Sequence, residues 1–317
     1  MNKFARTFGI AALAFCSATM AADTIKIMVP ANPGGGWDQT GRALAQALQS
    51  AGIAKTVRVE NRGGAGGTIG IAQFVNSSKG DPDALMVGGL VMVGAIELNK
   101  SPVTLAQVTP IARLTAEYEA ITVPAGSKFQ NLKDLLAAFK ASPGSVSWGG
   151  GSAGGVDHIL VALLAKEIGA DASKINYVPY AGGGEAVQAI LGGHVAAGVS
   201  GWAEFAPHVQ SGKMRGLAVS SGSRLPDAKG IPTIKEQGIA IEVFNWRGVF
   251  GAPGITPAQR ATLTKLVTDA VKSASWQDTL KRNDWSDVLL TGDQFKAYID
   301  SEQKRVAGVL KDIGLAK

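Results

Sequence analysis

The sequence predicts an α/β protein whose sheets are mainly parallel and flanked by helices. Short strand-like runs alternate repeatedly with amphipathic helical patterns, which is typical of βαβ units. Glycine-rich loops join several of these runs to the helices that follow. The length of 317 residues is enough for two domains, each with a core of its own.

The strands and helices can be assigned in order from hydrophobic periodicity. Strands are expected at 24–29, 57–62, 84–88, 111–113, 120–123, 145–148, 175–180, 196–200 and 215–220, and an apolar run follows at 244–252. Helices are expected after the first two glycine loops and at 132–139, 156–168, 185–191, 203–210, 257–271 and 295–310. Thr256 and Thr291 each precede a glutamine by three residues, which is the capping-box spacing of a helix start.

Four glycine loops, at 34–36, 63–67, 149–155 and 182–184, each separate a strand-like run from a helical pattern. Glycine lets the backbone approach a ligand closely, and a helix N-terminus offers free N–H groups to an anion. In open α/β sheets such loops gather at the carboxyl ends of the strands, where ligands bind. A single loop of this kind is also compatible with a connection that binds nothing, but four loops together predict an anion site.

The N-terminal segment has the pattern of a secretory signal peptide. Lys3 and Arg6 precede an apolar stretch, and small residues follow up to Ala21 and Ala22, after either of which cleavage is expected. Cys16, the only cysteine of the chain, lies in this segment, so the mature chain has no thiol chemistry. These features predict a periplasmic protein.

Composition excludes several classes of function. Removing the signal segment lowers the formal charge from +6 to +4, which suits an anionic ligand and equally a solvated basic surface. No basic run with interleaved aromatic residues indicates nucleic-acid binding. No later segment is apolar enough to span a membrane, and the three histidines have no metal-ligand spacing. No cofactor is expected.

The third loop also matches two motifs of other functional classes. Residues 149–154 satisfy G-x-G-x-x-G, but Asp171 precedes the next strand, whereas the ribose-binding acid of a dinucleotide site should follow that strand. Ser152 lies in G-x-S-x-G, so an exported serine hydrolase with Glu185 or Glu204 and His208 is an alternative. Ser152 is better interpreted as a hydroxyl donor to a bound anion. His158 could reach a ligand, although a packed or surface histidine is the more common case.

Four motifs together carry a family resemblance. They are Pro30-x-x-Pro33-Gly34-Gly35-Gly36-x-Asp38, Asn61-Arg62-x-Gly64-Ala65-Gly66-Gly67, Val178-Pro179-Tyr180-x-Gly182-Gly183-Gly184 and Ile231-Pro232-Thr233-x-x-Glu236-Gln237-Gly238. This set resembles the periplasmic substrate-binding proteins of tripartite tricarboxylate transporters, the Bug family, and most closely its tricarboxylate-binding branch. One departure is that Gly193-His194-Val195 is followed by Ala196-Ala197, where many relatives carry an aspartate.

The resemblance implies a type II-like periplasmic binding protein of two α/β lobes joined by two crossing segments. Lobe 1 would comprise 23–121 and 247–317, and lobe 2 would comprise 122–246. A small, citrate-like di- or tricarboxylate would bind between the lobes, and a two-component membrane permease would recognise the closed form. The protein would be a monomer that catalyses no reaction; some relatives instead serve as ligand receptors for sensor systems.

The expected ligand contacts come from the four loops and from two further positions. They are Gly35, Gly36, Trp37, Asp38, Ala65, Gly66, Gly67, Thr68, Gly151, Ser152, Gly154, Gly155, Tyr180, Gly183, Gly184, Glu185, Trp202 and Arg247. Arg247 lies in an apolar run that should be a crossing segment, and its planar fork suits a carboxylate. An internal salt bridge from Arg247 to Glu119 or Glu242 remains the alternative.

Overall fold

The structure is a computed structural model that describes residues 22–180, 183–312 and 314–316. The predicted signal peptide lies outside these residues, apart from Ala22. None of the described helices combines the length and the apolar composition that a membrane span requires.

Ten strands are present in the described part of the chain. They are β1 Ala22–Val29, β2 Ala54–Asn61, β3 Ala84–Gly89, β4 Thr109–Pro124, β5 Ser147–Gly150, β6 Asn176–Pro179, β7 Ala197–Gly201, β8 Met214–Val219, β9 Phe244–Gly251 and β10 Ser286–Thr291.

Ten α-helices accompany the strands within the same ranges. They are α1 Gly36–Ser50, α2 Thr68–Ser77, α3 Leu90–Leu98, α4 Leu132–Ala141, α5 Val156–Glu167, α6 Gly183–Leu191, α7 Trp202–Gln210, α8 Pro257–Val271, α9 Ala274–Arg282 and α10 Gly292–Asp312. The capping box predicted at Thr256 is confirmed, because its hydroxyl accepts from Gln259 N while the Gln259 side chain accepts from Thr256 N.

The strands form one curled, mixed sheet with the order β2-β1-β3-β9-β4-β7-β5-β6, and β8 and β10 also pair with β4. Parallel pairing holds at both ends of this order, between β1 and its neighbours β2 and β3 and between β5 and its neighbours β6 and β7. All pairs that involve β4 or β9 are antiparallel. The predicted α/β class is confirmed, with antiparallel strands in the middle of the sheet.

Strand β4 belongs to both halves of the sheet. Its first part, up to Tyr118, pairs with β9, and from Glu119 onward it pairs with β7 and β8. The sequence predicted two short strands here because Arg113, Glu117 and Glu119 interrupt the apolar pattern. The observed single strand of 16 residues shows that these charged residues do not end it.

The second connection between the halves returns beside the first. Ser220 follows β8, and its hydroxyl accepts from Glu119 N at 2.9 Å and donates to Val243 O at 2.5 Å. Backbone bonds from Ser220 N to Glu119 O and from Val243 N to Ser220 O complete the link at 2.8 and 3.2 Å. One buried hydroxyl therefore joins the two crossing segments.

Apolar burial explains most of the element positions. The faces predicted for α4 and α5 are buried, including Leu135, Phe139 and Ile159. Helix α3 was not predicted, because all its residues except Glu97 are apolar or glycine and give no stripe with helical spacing. Helix α9 and strand β10 were also missed; α9 is short and buries Trp276 and Leu280.

Candidate functional site

A cavity of about 270 Å³ lies between the two halves of the sheet. Its volume is near the lower end of ordinary small-molecule sites, which span about 300–1,000 Å³. The lining residues come from the loops after several strands, from the first turns of four helices and from β4, β7 and β9. They are Pro30, Ala31, Asn32, Gly35, Gly36, Trp37, Gly64, Ala65, Gly66, Gly67, Val91, Glu117, Gly151, Ser152, Gly155, Val156, Asp157, Ser200, Gly201, Glu204, Asn245 and Arg247.

Four helices begin at the cavity with a glycine as the cap residue. Gly35 precedes α1, Gly67 precedes α2, Gly155 precedes α5 and Gly201 precedes α7, and none of them has a side chain that could cap the helix. The first N–H groups of an α-helix have no intrahelical acceptor, and the helix dipole places partial positive charge there. The arrangement therefore presents backbone donors to an anion from both halves of the sheet.

The first loop lies close to β9 because Gly36 has no side chain. A Cβ at Gly36 would lie 2.4 Å from Nη2 of Arg247 and 2.7 Å from its Cζ. Asp38, in the first turn of α1, accepts from Gly34 N at 2.9 Å, from Arg42 Nε and from Asn61 Nδ2 at 2.9 Å. Burial opposes its ionisation, but these hydrogen bonds lower the pKa of Asp38 below its usual value. Asp38 thus holds the first loop in place through hydrogen bonds without lining the cavity.

The second loop packs on the first. A Cβ at Gly67 would lie 2.7 Å from the Trp37 ring, and Trp37 is buried. Gly66 has φ +63°, a left-handed conformation that favours glycine, and a Cβ there would lie 2.4 Å from that of Ala95. A larger residue at Gly66 would therefore collide with α3. The glycines of this loop serve close packing as well as access to the cavity.

Arg247 is a buried residue of β9 and forms an ion pair with Glu117 of β4. Arg247 lies directly opposite Thr115 in the strand register, so Glu117 is its diagonal neighbour on the same face. The predicted internal partners, Glu119 and Glu242, are not the acids that it contacts. Nε and Nη1 of Arg247 and Oε1 of Glu117 have no hydrogen-bond partner among the described residues.

Further acids surround this pair. Burial raises the pKa of Glu119 well above its ordinary value, and the charges of Asp157 and Glu117 add to the effect. Burial also raises the pKa of Asp157 to about 6, although Asp157 accepts from Gly151 N at 2.6 Å. For Glu204, burial and the charge of Glu117 raise the pKa to about 7. Asp157 and Glu204 line the cavity, whereas Glu119 lies outside its lining.

The predicted contacts divide into two groups. Those that line the cavity are Gly35, Gly36, Trp37, Ala65, Gly66, Gly67, Gly151, Ser152, Gly155 and Arg247. Those outside its described lining are Asp38, Thr68, Gly154, Tyr180, Gly184, Glu185 and Trp202. Gly183 is described only as the first residue of α6, and Gly182 of the fourth loop lies outside the described residues.

Several residues of the second group have structural partners. The Thr68 hydroxyl donates to Ala65 O at 2.9 Å, which closes the turn before α2. Trp202 is buried in a second apolar cluster, and its Nε1 donates to Asp227 Oδ2 at 2.7 Å. Tyr180 packs against the same cluster. The Gly154 backbone lies against Gly94, where an added Cβ would be 1.9 Å from Gly154 O.

The packed interpretation of His158 is the one that the structure shows. Its ring stacks on Tyr177 with 4.1 Å between centroids, and Nδ1 accepts from Gly154 N at 3.3 Å. Burial lowers the pKa of His158 to about 4, so the ring is neutral at pH 7. It supports the third loop from inside the protein.

The hydrolase interpretation needs Ser152, an acid and His208 together. Ser152 and Glu204 both line the cavity, but His208 lies near the opposite end of α7 and does not. The rise of about 1.5 Å per residue places His208 roughly 9 Å along the helix from its start.

Within the described ranges, no cluster of three or more His, Cys, Asp or Glu residues is arranged to hold a metal ion.

Sequence reasoning missed Glu117, Asp157 and Asn245 as lining residues. Asp157 could have been found, because it follows the third loop in the first turn of a predicted helix. Asn245 is two residues before Arg247 and directly opposite Glu117 in the strand register. Glu117 gave no usable signal, because it falls between two strands that were predicted as separate.

A two-halved α/β fold whose glycine loops and helix N-termini enclose a small cleft defines the class of two-lobed periplasmic binding proteins. The sequence profile of the family described as "Tripartite tricarboxylate transporter family receptor" matches residues 41–315. The chain belongs to this family, which consists of substrate-binding receptors and not of enzymes.

Individual comparisons agree with this assignment. The chain is 31% identical to Protein BugT of Bordetella pertussis, over 98% of this chain and 95% of that protein. A TctC solute-binding protein from Polaromonas is 29% identical, with a TM-score of 0.71 over 92% of this chain and 98% of that one. MatC from Rhodopseudomonas palustris, solved with bound malate, shares the fold at 22% identity, with a TM-score of 0.77 over 91% of this chain and 99% of that one.

Proposed function

We propose that this receptor captures a small di- or tricarboxylate, citrate-like in size, in the cleft and delivers it to the two-component membrane permease of a tripartite transporter. The observation that carries the proposal is the convergence of four glycine-capped helix N-termini and Arg247 on one cavity. Backbone N–H groups and a guanidinium are the donors that carboxylates require. The bound malate of MatC supports the same ligand chemistry.

The proposed contacts are the predicted residues that line the cavity, together with the backbone at Gly201. The lobe boundaries at 121/122 and 246/247 remain part of the proposal. They fall within a few residues of the point where β4 changes partners and of the start of β9. A ligand that contacts both halves would stabilise a closed form of the receptor. The permease would recognise this closed form, and the receptor would act as a monomer.

Export through cleavage after Ala21 or Ala22 completes the proposal, since a receptor of this kind acts in the periplasm. Mass spectrometry of the mature protein recovered from the periplasm tests this part. A mature N-terminus at Ala22 or Asp23 is expected. Protein that keeps residues 1–21 and remains in the cytoplasm would contradict it.

Binding without turnover is the decisive test of the function. The purified protein is mixed with free di- and tricarboxylates and with their esters, while melting temperature and product release are followed. Free acids should raise the melting temperature by mass action, and no ester should be hydrolysed. Ester hydrolysis that is lost in Ser152→Ala would establish the hydrolase alternative instead.

A further inference from the structure

The cleft wall formed by β4 and β9 carries unpaired donors and unpaired acceptors side by side. Glu117 Oε1, Asn245 Oδ1 and Arg247 Nε and Nη1 are buried and have no hydrogen-bond partner among the described residues. All three residues line the cavity. Buried polar groups are normally hydrogen-bonded, so the unpaired atoms indicate which groups a bound solute supplies.

These atoms divide by chemistry into two sets. The guanidinium of Arg247 only donates, so its two free nitrogens require an acceptor such as a carboxylate. The carboxylate of Glu117 only accepts, and the amide oxygen of Asn245 also accepts, so both require a donor. Because Glu117 and Asn245 are directly opposite each other in the strand register, one donor group can lie between them. A solute composed of carboxylates alone satisfies only the first set.

The balance of charge decides what kind of donor fits best. Glu117, Asp157 and Glu204 line the cavity, and Arg247 is the only Lys or Arg among the described lining residues. Glu117 and Arg247 offset each other, which leaves two further carboxyl groups facing the solute. These two carboxyl groups repel each anionic group of a ligand, whereas they attract a cationic donor. A bound metal ion is not indicated, because the described acids form no metal-binding cluster.

We propose that the solute is zwitterionic, a small carboxylate that also carries a protonated amine. Its ammonium group donates to Glu117 and Asn245, and a carboxylate accepts from Arg247 and from the helix N-termini. This inference rests on the proposed function, because it names the chemical class within the carboxylates that the same cleft binds. Amino acids and amino dicarboxylates are the expected solutes.

Matched solutes test the inference on the unmodified protein. Succinate, malate and aspartate share a four-carbon dicarboxylate and carry hydrogen, hydroxyl or ammonium at one carbon; glutarate, 2-hydroxyglutarate and glutamate repeat the set with one more carbon. Calorimetric titration at pH 7.5 should show the amino compound binding at least about tenfold tighter than both partners of its set, or ~1.4 kcal/mol. Equal or tighter binding of the unsubstituted or hydroxylated acid would overturn the inference and leave the proposed function standing.

The solute retained during purification provides an independent readout. It is released by denaturation, treated with an amine-reactive label and identified by mass spectrometry. A labelled carboxylate supports the inference. A carboxylate without an amine overturns it, and a retained solute without a carboxylate contradicts the proposed function as well.

A pair of variants tests the role of Glu117. Glu117→Gln removes the charge and keeps the size of the side chain, so the preference for the amino compound should shrink to less than about threefold. Glu119→Gln is the control, because Glu119 is buried two residues along the same strand but outside the cavity lining. Retention of the full preference in Glu117→Gln would overturn the assignment.

Discussion

The guanidinium of Arg247 donates a hydrogen bond to the carboxylate of Glu117, and both side chains are more than nine-tenths buried on the wall of the cleft. The pair joins the two antiparallel strands that run through the middle of the sheet. Two nitrogens of Arg247 have no hydrogen-bond partner among the described residues, and Arg247 lines the cavity, so it can both stabilise the fold and contact ligand. The two alternatives raised by the sequence are therefore compatible.

Substitution of both partners separates these roles. Arg247→Met leaves Glu117 buried and unpaired and should cost about 3–5 kcal/mol of unfolding free energy. Adding Glu117→Leu should recover most of that loss, since an apolar pair can replace a buried ion pair. Carboxylate binding should stay lost in both proteins. Urea unfolding and calorimetric titration measure the two effects, and normal affinity in the double variant would make Arg247 purely structural.

Gly36 should be required for the position of the Arg247 guanidinium. A Cβ in Gly36→Ala meets Nη2 at 2.4 Å, so the side chain must shift, and carboxylate affinity should fall at least about tenfold, or ~1.4 kcal/mol. Gly308→Ala is the matched control, because Gly308 also lies on a helix and an added Cβ there meets no atom within 4 Å. Equal affinities for the two variants would show that the contact is unimportant.

Glu204 should make the stability of the ligand-free protein depend on pH. Burial and the charge of Glu117 raise its pKa from 4.5 to about 7, so the folded state favours the protonated form. The melting temperature of wild type minus that of Glu204→Gln should be largest near pH 4.5. This difference should fall as pH rises through 7, because the folded state then loses its preferred protonated form. Thermal melts from pH 5 to 8 measure this, with Glu97→Gln on the exposed side of α3 as control. A melting-temperature difference that does not change with pH would contradict the raised pKa of Glu204.

His158 should give the stability of the protein the opposite pH dependence, with its stabilising effect lost in acid. Burial lowers its pKa from 6.5 to about 4, so the folded state favours the neutral ring. The stability of wild type relative to His158→Phe, which keeps an aromatic ring beside Tyr177, should be complete above pH 6.5 and decline as pH falls through 4. Melts from pH 7 to 4 test this, and His194→Gln at an exposed position is the control. A difference that grows on acidification would contradict the prediction.

Local sequence patterns were a good guide to α4, α5 and the start of α8. The stripes of α4 and α5 and the capping box at Thr256 required only local information. Prediction failed for α3, which is apolar apart from Glu97, and for β4, where Glu117 and Glu119 stand inside a long buried strand. Helix α3 shows no apolar stripe of helical spacing, because it is buried on most of its sides. In β4 the tertiary environment overrides the local pattern, because Glu117 lines a cleft that only the assembled fold creates.

By itself, the sequence determined the α/β class, the glycine loops that precede the helices and the family of the chain, since these depend on local spacing and on combined motifs. Only the tertiary structure decided which loops share a cavity: the helix starts at Gly35, Gly67, Gly155 and Gly201 converge there. It also decided that Glu117 meets Arg247, a contact between residues 130 positions apart. Such distant contacts follow from strand order and register, and neither can be obtained from the spacing of residues within one segment.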